Sequence, residues 1–485
     1  MSSQDPPAPG PADDPTILQR PGILRSPIGI AGWGSSGQAA AIALASVGFD
    51  VIACDARTDL PPSPHPRIQL RPGSHDLSPC RDVVLSPSFN PEWPENQSAP
   101  HLAPWWEAAR RQEIRLFSEV EIARLLRPLP WITVGGTDGK STTAALCAHL
   151  YRHLSGPVLL GGNSWTAISD VIRSTPEARA AVVEVSAFQL WARHQLRPDI
   201  AILTNIAEDH LDHYGTMDRY VAAKRHILAN LDGSSTAIVN SDDQRLRGFI
   251  DPLLDQGVRV LAFGNRPCDH DRVTSYAWHD ADGLHLQTPA GTLSVGRHSL
   301  AAPGPHNARN ALAAAWAVIA SGGAALELPR VSELADALST FRGLPHRTEL
   351  VATRGHARWY NDSKATNAHA ALAGLRGMRD GTVVIAGGVD KGLDLSELVA
   401  QWEAMQSPVV VIGAIAERMM DEARGRVDIR SAASLERAVE LASELSGGER
   451  DVVFSPACSS FDMFRSFEHR GDVFRQLAGA ISGGG

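Results

Sequence analysis

The chain has 485 residues, of which 43% are hydrophobic, and its formal net charge is -9 at pH 7. This length and apolar content suit a globular protein of several domains with sizeable cores. The net charge is mildly acidic and the chain has no Lys/Arg tract, so the sequence gives little support to unspecific binding of nucleic acid or membrane surfaces. No apolar run reaches the roughly 20 residues of a membrane span, and the polar, Pro-rich start lacks the apolar centre of a signal peptide. We therefore expect a cytoplasmic protein with small-molecule ligands and no nucleic-acid or membrane partner.

The first predicted element is a disordered tail over residues 1–26, which are rich in Pro, Asp and Gly. A strand, a Gly-x-Gly-x-x-Gly turn at residues 32–37, an Ala-rich helix and a second strand ending at Asp55 then follow. This order is typical of a dinucleotide-binding βαβ unit, in which an acidic residue follows about 20 positions after the turn. The motif alone leaves NAD, another nucleotide and a purely structural turn open.

The next informative segment is residues 134–143, VGGTDGKSTT. An apolar strand over residues 131–134 enters this turn and a helix over residues 144–150 leaves it. Such a turn holds a polyphosphate through backbone N–H groups, with Lys140 as counter-charge and Ser141 or Thr142 positioned for Mg²⁺. The strict eight-residue phosphate loop would have Gly in place of Val134. A plain Gly-rich turn is the alternative.

Two later segments offer metal ligands. Glu184 ends a predicted buried strand, and ligands gather at such strand ends in open α/β sheets. It is a candidate Mg²⁺ ligand, or else an edge carboxylate that caps a helix. Residues 204–214 follow the next strand and include His210, a second histidine and three acidic side chains. Oxygen and imidazole ligands hold divalent cations, although a solvated acidic loop has the same composition.

Three further residues are ambiguous when taken alone. Lys224 lies in a helix-like stretch, where it is most simply a solvated lysine. Asn307 and Asn310 stand at i and i+3 and so share one helical face. Their amides either contact an adenine edge or cap the helix.

The alternation of apolar runs and helical segments predicts mostly parallel sheets flanked by helices. The alternation runs through the middle of the chain and restarts near Trp359. We predict an α/β protein with three domains after the tail, over residues 27–118, 119–343 and 344–485. The junctions fall near Phe117 and near the Gly-Leu-Pro run at residues 343–345.

In order along the chain, these motifs resemble those of the Mur ligases of peptidoglycan assembly over essentially the whole length after the tail. The matching segments are residues 136–143, 184–189, 208–214, 304–310, 343–347, 361–367, 387–392 and 455–462. The runs NDSKATN and SPAC are the most specific, because they match the member that adds glutamate and not those that add a diamino acid or D-Ala-D-Ala. Asp138 stands where the family usually has Asn.

The resemblance implies an N-terminal Rossmann-like domain that binds UDP, a central P-loop-type ATPase domain with a parallel sheet, and a Rossmann-like C-terminal domain. It implies that ATP phosphorylates the carboxylate of UDP-N-acetylmuramoyl-L-alanine and that D-glutamate attacks the acyl phosphate, which releases ADP and phosphate. It also implies a monomer with two Mg²⁺ ions and a CO₂-derived carbamate on Lys224.

Roles for individual residues follow from the same resemblance. The implied catalytic residues are Lys140, Glu184, His210 and Lys224. The implied metal ligands are Ser141, Glu184, His210 and the carbamate of Lys224. The implied ATP contacts are Gly136, Thr137, Asp138, Gly139, Lys140, Ser141, Thr142, Asn307, Asn310, Arg347, Asp362 and Lys364. The implied contacts of the UDP substrate are Ser35, Ser36, Asp55, Arg57, Asn163, Ser186 and Gln189. The implied glutamate contacts are Thr366, Lys391, Ser460, Phe461 and Phe467.

Three other functions compete with this expectation. A paralogue would use another amino acid such as L-glutamate, and a non-catalytic scaffold would bind nucleotide on the same fold. Lys140, Glu184, His210 and Lys224 together argue against the scaffold. A dehydrogenase based on the first glycine motif is weaker, and a failure to bind NAD would exclude it.

Overall fold

The computed structural model describes residues 18–89, 107–109, 111, 113–190, 196–300, 304–323, 325–341, 343–389 and 393–480. The protein is mixed α/β, with three sheets in which most of the paired strands are parallel. Its contacts divide the chain into two compact units. One unit comprises Met1–Val295 with Arg309–Ala337, and the other comprises Gly296–Ala308 with Leu338–Gly485.

The first sheet lies in the first unit and is parallel, in the order β3-β2-β1-β4-β5. Its strands are β1 (Ile28–Ala31), β2 (Val51–Asp55), β3 (Ile68–Pro72), β4 (Asp82–Leu85) and β5 (Arg115–Phe117). Helix α1 (Ser35–Ser46) joins β1 to β2, as the βαβ motif predicts. Helix α2 (Glu119–Leu126) follows β5, and the Ser118 hydroxyl caps it by accepting the Glu121 N–H.

The second sheet has the order β14-β13-β12-β11-β10-β9-β6-β8-β7 and is parallel from β12 to β7. Its strands are β6 (Trp131–Gly135), β7 (Val158–Gly162), β8 (Ala180–Glu184), β9 (Ile200–Leu203), β10 (Thr236–Asn240), β11 (Arg259–Gly264), β12 (Tyr276–His279), β13 (Gly283–Thr288) and β14 (Gly291–Gly296). The helices between them are α3 (Lys140–Leu154), α4 (Ile168–Val171), α5 (Leu211–Tyr214), α6 (Met217–Arg225), α7 (Gln244–Arg247) and α8 (Ile250–Asp255). Two helices follow, α9 (Pro305–Ser321) and α10 (Val331–Thr340).

The third sheet belongs to the second unit and has the order β15-β16-β20-β17-β18-β19, with only the pair β15 and β16 antiparallel. Its strands are β15 (Glu349–Arg354), β16 (Ala357–Asn361), β17 (Val383–Gly387), β18 (Val409–Ile412), β19 (Ile429–Ser431) and β20 (Val452–Phe454). Its helices are α11 (Ala368–Leu375), α12 (Ser396–Ala404), α13 (Ala416–Glu422), α14 (Leu435–Ser446) and α15 (Phe467–Ala480).

The folded chain begins earlier than we predicted. Residues 1–17 lie outside the described part, but Leu18 and Leu24 are buried in the same core as β1 and α1. The Gln19 N–H also donates to the carbonyl oxygen of Leu126 at 2.8 Å. The predicted tail to residue 26 is therefore wrong over residues 18–26, because the two leucines bury apolar surface despite the polar, Pro-rich composition around them.

The order of the second sheet determines where a site can form. Strand β6 lies between β9 and β8, and all three run parallel. Their carboxyl ends therefore meet at one edge, where ligands bind in open α/β sheets. The segments after β6, β8 and β9 are those predicted to hold phosphate and metal. None of the helices in the described part of the chain is long and apolar enough to cross a membrane.

Candidate active site

The turn after β6 has the backbone geometry of a phosphate loop. Gly136 and Gly139 have φ angles of +136° and +77°, which favour glycine. The Thr137 N–H donates to the Asn205 carbonyl oxygen, and the Asp138 N–H donates to the Asn205 side-chain oxygen, both at 2.9 Å. The segment after β9 thus holds the turn in place, so that α3 begins at Lys140 with its N-terminus available for an anion.

Lys224 is buried at this same edge, with 4% of its surface exposed. Its amino group donates to the Gly136 carbonyl oxygen and lies 4.9 Å from the centre of the Tyr220 ring. The simplest interpretation of Lys224 on its own, a solvated lysine, is therefore wrong. Helix α6 presents its outer residues to solvent but directs this one beneath the phosphate loop, and local sequence does not distinguish the two faces.

The surroundings of Lys224 favour its neutral form. Burial, and then the positive charge of Lys140, lower the pKa of Lys224 to about 7. The carboxylates that oppose this shift are those of Asp209, Asp138 and Glu184. The amine is therefore partly deprotonated near neutral pH, which makes it more nucleophilic than an ordinary lysine.

Glu184 is fully buried at the end of β8. Its Oε1 accepts hydrogen bonds from Asn163 Nδ2 at 3.2 Å and from Ser164 Oγ at 2.9 Å. Its Oε2 is buried and has no hydrogen-bond partner among the residues that the structure describes. A buried carboxylate oxygen without a donor suits a hard cation, so the residues fit a divalent metal ion here.

His210 and Ser141 belong to the same edge. His210 immediately precedes α5, and its ring centre lies 4.8 Å from that of Phe188 and 6.3 Å from that of Tyr220. Ser141 is buried in the first turn of α3. The structure therefore brings together elements that we predicted separately from the segments after β6, β8 and β9.

A cavity of about 170 Å³ lies in the first unit and is lined by most of the residues that we predicted to contact the UDP substrate. The predicted residues that line it are Ser35, Ser36, Asn163, Ser186 and Gln189. The side chains of Glu119, Trp165 and Phe188, which the sequence did not single out, also line it.

Asp55 and Arg57 are not among the residues that line this cavity. Asp55 Oδ2 accepts the Trp33 N–H at 2.7 Å, and its Oδ1 accepts Arg57 Nε at 2.9 Å. The hydrogen bonds from Arg57 hold the pKa of Asp55 well below its usual range. The acidic residue of the βαβ motif, Asp55, thus binds the backbone of the Gly-rich turn through the Trp33 N–H.

Glu119 is the most unusual residue of the cavity wall. Its side chain is buried, Oε1 accepts the Ser169 N–H at 2.5 Å, and Oε2 has no partner within the described part of the chain. Burial raises the pKa of Glu119 to about 7. In the sequence, Glu119 stands in the first turn of a helix, where an acidic residue is common, and this position gave no sign of burial.

The Glu119→Gln variant should change the pH dependence of stability. Because the pKa of Glu119 rises from 4.5 to about 7 on folding, the stabilisation that Glu119 contributes to the wild type is fully present below pH 4.5 and is lost as the pH rises through about 7. The glutamine cannot ionise and keeps an acceptor for Ser169. We expect urea unfolding to give the difference in free energy of unfolding, variant minus wild type, at each pH. This difference should be about 2 kcal/mol more favourable to the variant at pH 8 than at pH 5. An equal difference at both pH values would contradict the assigned shift.

Asn307 and Asn310 are both buried on α9. Asn310 Oδ1 accepts the Thr143 hydroxyl of α3 at 3.2 Å. A Cβ on Gly139 would lie 2.6 Å from the same oxygen. Asn310 therefore packs directly against the start of α3 beside the phosphate loop.

In the second unit, Asp362 immediately follows β16 and is buried. Its Oδ1 accepts the Thr348 N–H at 3.1 Å, and its Oδ2 accepts the Ser455 hydroxyl at 2.9 Å. Burial raises the pKa of Asp362 to about 7, although the nearby charge of Arg347 opposes the shift. The structure thus places Asp362 and Arg347 in one electrostatic environment.

Four of the predicted glutamate contacts are described, and Lys391 lies outside the described residues. The Thr366 N–H donates to the Lys364 carbonyl oxygen at 2.8 Å, and Lys364 Nζ lies 5.2 Å from the centre of the Phe467 ring. Ser460 is buried, whereas the Phe461 side chain is largely exposed at 71%.

Sequence reasoning missed Arg470, which connects two of the predicted motifs. This buried guanidinium donates to Ser363 Oγ at 3.0 Å, to the Ser363 carbonyl oxygen at 2.8 Å and to the Cys458 carbonyl oxygen at 3.0 Å. It therefore joins the NDSKATN run to the SPAC run. Burial lowers the pKa of Arg470 to about 10.

Comparison with known proteins agrees with this geometry. Residues 134–318 match the Mur ligase middle domain, and residues 346–458 match the Mur ligase glutamate ligase domain. Proteins named UDP-N-acetylmuramoylalanine--D-glutamate ligase are similar over nearly the whole chain. The one from Koribacter versatilis is 32% identical and is matched over 92% of this chain and 96% of its own length. The one from Paramagnetospirillum magneticum is 33% identical and is matched over 94% of this chain and 97% of its own length.

A solved structure shows the same fold at lower identity. UDP-N-acetylmuramate-alanine ligase from Thermotoga maritima superposes with a TM-score of 0.53 at 18% identity, covering 94% of this chain and 99% of its own. The phosphate loop after β6, the buried carboxylate at the end of β8 and the buried lysine of α6 lie within the residues matched by the middle-domain family model. The chain belongs to the Mur ligase family.

Proposed function

We propose that this protein is an ATP-dependent ligase that joins D-glutamate to UDP-N-acetylmuramoyl-L-alanine in cytoplasmic peptidoglycan precursor synthesis. The relatives that carry this activity in their names match more than nine tenths of the chain. The observation that carries the proposal is the position of Lys224, buried beneath a phosphate loop and beside Lys140 and Glu184. A binding scaffold has no need of this costly arrangement of charges.

The three sheets support an assignment of one domain to each substrate. Residues 27–118 would bind the UDP part, residues 119–343 would bind ATP, and residues 344–485 would bind glutamate and contribute to the ATP site. Each of these ranges contains one sheet. We further infer that the protein acts as a monomer.

We infer that residues at the sheet edge would hold two Mg²⁺ ions. Ser141 and Glu184 would hold the first, and His210 and a carbamate on Lys224 would hold the second. In the described part of the chain, no three His, Cys, Asp or Glu side chains cluster as a metal site. Phosphate oxygens and the carbamate would therefore complete the ligand sets. Bound there, Mg²⁺ would act as a Lewis acid and template for phosphoryl transfer.

The carbamate accounts for the burial of Lys224. A neutral amine attacks CO₂, one proton leaves, and the product is an anionic oxygen ligand in place of a cation. Burial beside Lys140 favours the neutral amine that this step requires. The nearby charge of Lys140 would then stabilise the carbamate once it has formed.

Both steps of the reaction require that negative charge on closely spaced carboxylate and phosphate oxygens be neutralised. An oxygen of the substrate carboxylate attacks the γ-phosphorus of ATP, and ADP leaves. The glutamate amine then attacks the acyl carbon, loses a proton and expels phosphate, which leaves an amide. Lys140 and the N–H groups at the start of α3 would stabilise the negative charge of the transferred phosphoryl group.

Within the loop, Gly136→Ala should prevent tight ATP binding. A Cβ on Gly136 would lie 1.9 Å from Thr204 Oγ1, and the φ of +136° strains any other residue. Gly291→Ala is the matched control, because its φ is +149° but nothing lies within 4 Å of the added carbon. Calorimetric titration should show ATP affinity falling at least about tenfold in Gly136→Ala, by analogy with the cost of misplaced phosphate donors. Equal affinities in the two variants would contradict the assignment of the loop.

The proposal as a whole is tested by measuring ADP release with UDP-N-acetylmuramoyl-L-alanine, ATP and Mg²⁺. Parallel reactions contain D-glutamate, L-glutamate or no amino acid, and the product mass is determined. Turnover only with D-glutamate is the expected result. Turnover with L-glutamate would indicate a paralogue, and no turnover with either would support a non-catalytic scaffold.

A further inference from the structure

The backbone of Trp165 lies in a short hydrogen-bonded turn between β7 and α4. The backbone N–H of Trp165 donates to the Gly162 carbonyl oxygen, and the backbone N–H of Gly162 donates to the Thr166 carbonyl oxygen, both at 3.0 Å. The turn is fixed to the end of β8, because the Asn163 N–H donates to the Glu184 carbonyl oxygen at 2.9 Å. Trp165 therefore has a defined position relative to Glu184.

The indole of Trp165 forms part of the wall of the 170 Å³ cavity. Its Nε1 is buried and has no acceptor among the described residues. Phe188 supplies a second ring, and the serine and amide side chains around them supply polar groups. Two rings among a few polar groups are typical of a site that binds a small molecule with both apolar and polar surfaces.

The position of the cavity indicates which part of the substrate it would take. Ser35 and Ser36 line one side and begin α1, whose N-terminal N–H groups favour a diphosphate. Asn163 lines another side and contacts Glu184, where the reacting carboxylate would be activated. In the proposed substrate, the sugar lies between the diphosphate and that carboxylate.

The size of the cavity agrees with a single ring. Its volume of about 170 Å³ is below the roughly 300 Å³ at which pockets for drug-sized ligands begin. A whole nucleotide sugar would not fit, but one pyranose ring and its immediate substituents would occupy such a space.

We propose that Trp165 packs against the amino-sugar ring of the substrate and thereby sets the preference of this site for the nucleotide sugar over the bare nucleotide. The inference rests on the proposed function, since it takes its substrate from there. The apolar C–H groups of the sugar contact the indole, while its hydroxyl and amide groups meet the polar side chains of the wall.

The test is calorimetric titration of the full-length protein with UDP and with UDP-N-acetylmuramoyl-L-alanine. Trp165→Ala should bind the nucleotide sugar about ten- to a hundredfold more weakly, as expected for loss of one stacked ring, and should bind UDP as the wild type does. Trp165→Phe should restore most of the affinity. Trp278→Ala is the matched control, because Trp278 lies on β12 and is not among the residues that line the cavity.

Equal affinity of wild type and Trp165→Ala for the nucleotide sugar would overturn the inference while leaving the proposed function intact. Parallel losses for UDP and the nucleotide sugar would also overturn it, because the ring would then serve the base or the fold. If the wild-type protein does not bind the nucleotide sugar, the proposed function is wrong and the inference fails with it.

Discussion

Lys224→Ala should lose nearly all ligase activity, and short-chain carboxylic acids such as acetate or propionate should restore part of it. The substitution removes the amine that would carry the carbamate, and an added carboxylate can supply similar oxygen ligands. Loss of an outer-shell partner of a metal typically costs about 10- to 100-fold, so loss of a direct ligand should lower turnover at least about 100-fold. Bicarbonate should have no effect, because no amine remains to react.

Arg225→Ala is the matched control for this experiment. Arg225 is the next residue on α6, is exposed, and has its guanidinium 5.5 Å from the Phe249 ring. Its removal should leave turnover within about twofold, as is usual for a surface substitution. Near-normal turnover in Lys224→Ala would show that the carbamate role is wrong.

Glu184→Gln should have the second largest effect. Glutamine keeps an oxygen for the hydrogen bonds from Asn163 and Ser164 but removes the negative charge from the buried Oε2 position. Turnover at saturating ATP should fall about 10²- to 10³-fold, as for other groups that stabilise charge in a transition state. The Mg²⁺ concentration for half-maximal activity should also rise.

Glu177→Gln provides the control, since Glu177 is exposed on the segment before β8. Its Mg²⁺ dependence should match that of the wild type. An unchanged Mg²⁺ requirement in Glu184→Gln, even with reduced turnover, would argue that Glu184 is a structural carboxylate and not a metal ligand.

The sequence predicted those parts of the fold and site that depend on short-range pattern. Apolar runs located β6, β8 and β9, and parallel pairing then brings their carboxyl ends together. The phosphate loop was recognisable because its glycines and Lys140 occur at fixed spacing within ten residues. Glu184 was predictable because it ends a buried strand, and the carboxyl ends of strands face ligands in open sheets.

The features that the sequence did not reveal depend on contacts between distant segments. Lys224 is buried only because α6 packs under a loop 88 positions away in the chain. Arg470 contacts a backbone group 107 positions earlier, and no periodicity signals this. Glu119 and Trp165 line a cavity formed by residues from several elements. Their roles therefore became visible only once the chain was folded.

The central claim is that the substrate carboxylate is activated as an acyl phosphate, and an isotope measurement tests it most directly. UDP-N-acetylmuramoyl-L-alanine labelled with ¹⁸O in its carboxylate is incubated with ATP, Mg²⁺ and D-glutamate, and the released phosphate is analysed by mass spectrometry. The account predicts transfer of one ¹⁸O from the substrate to each phosphate. Amide product formed together with unlabelled phosphate would contradict it, because the carboxylate would then not have attacked the γ-phosphorus.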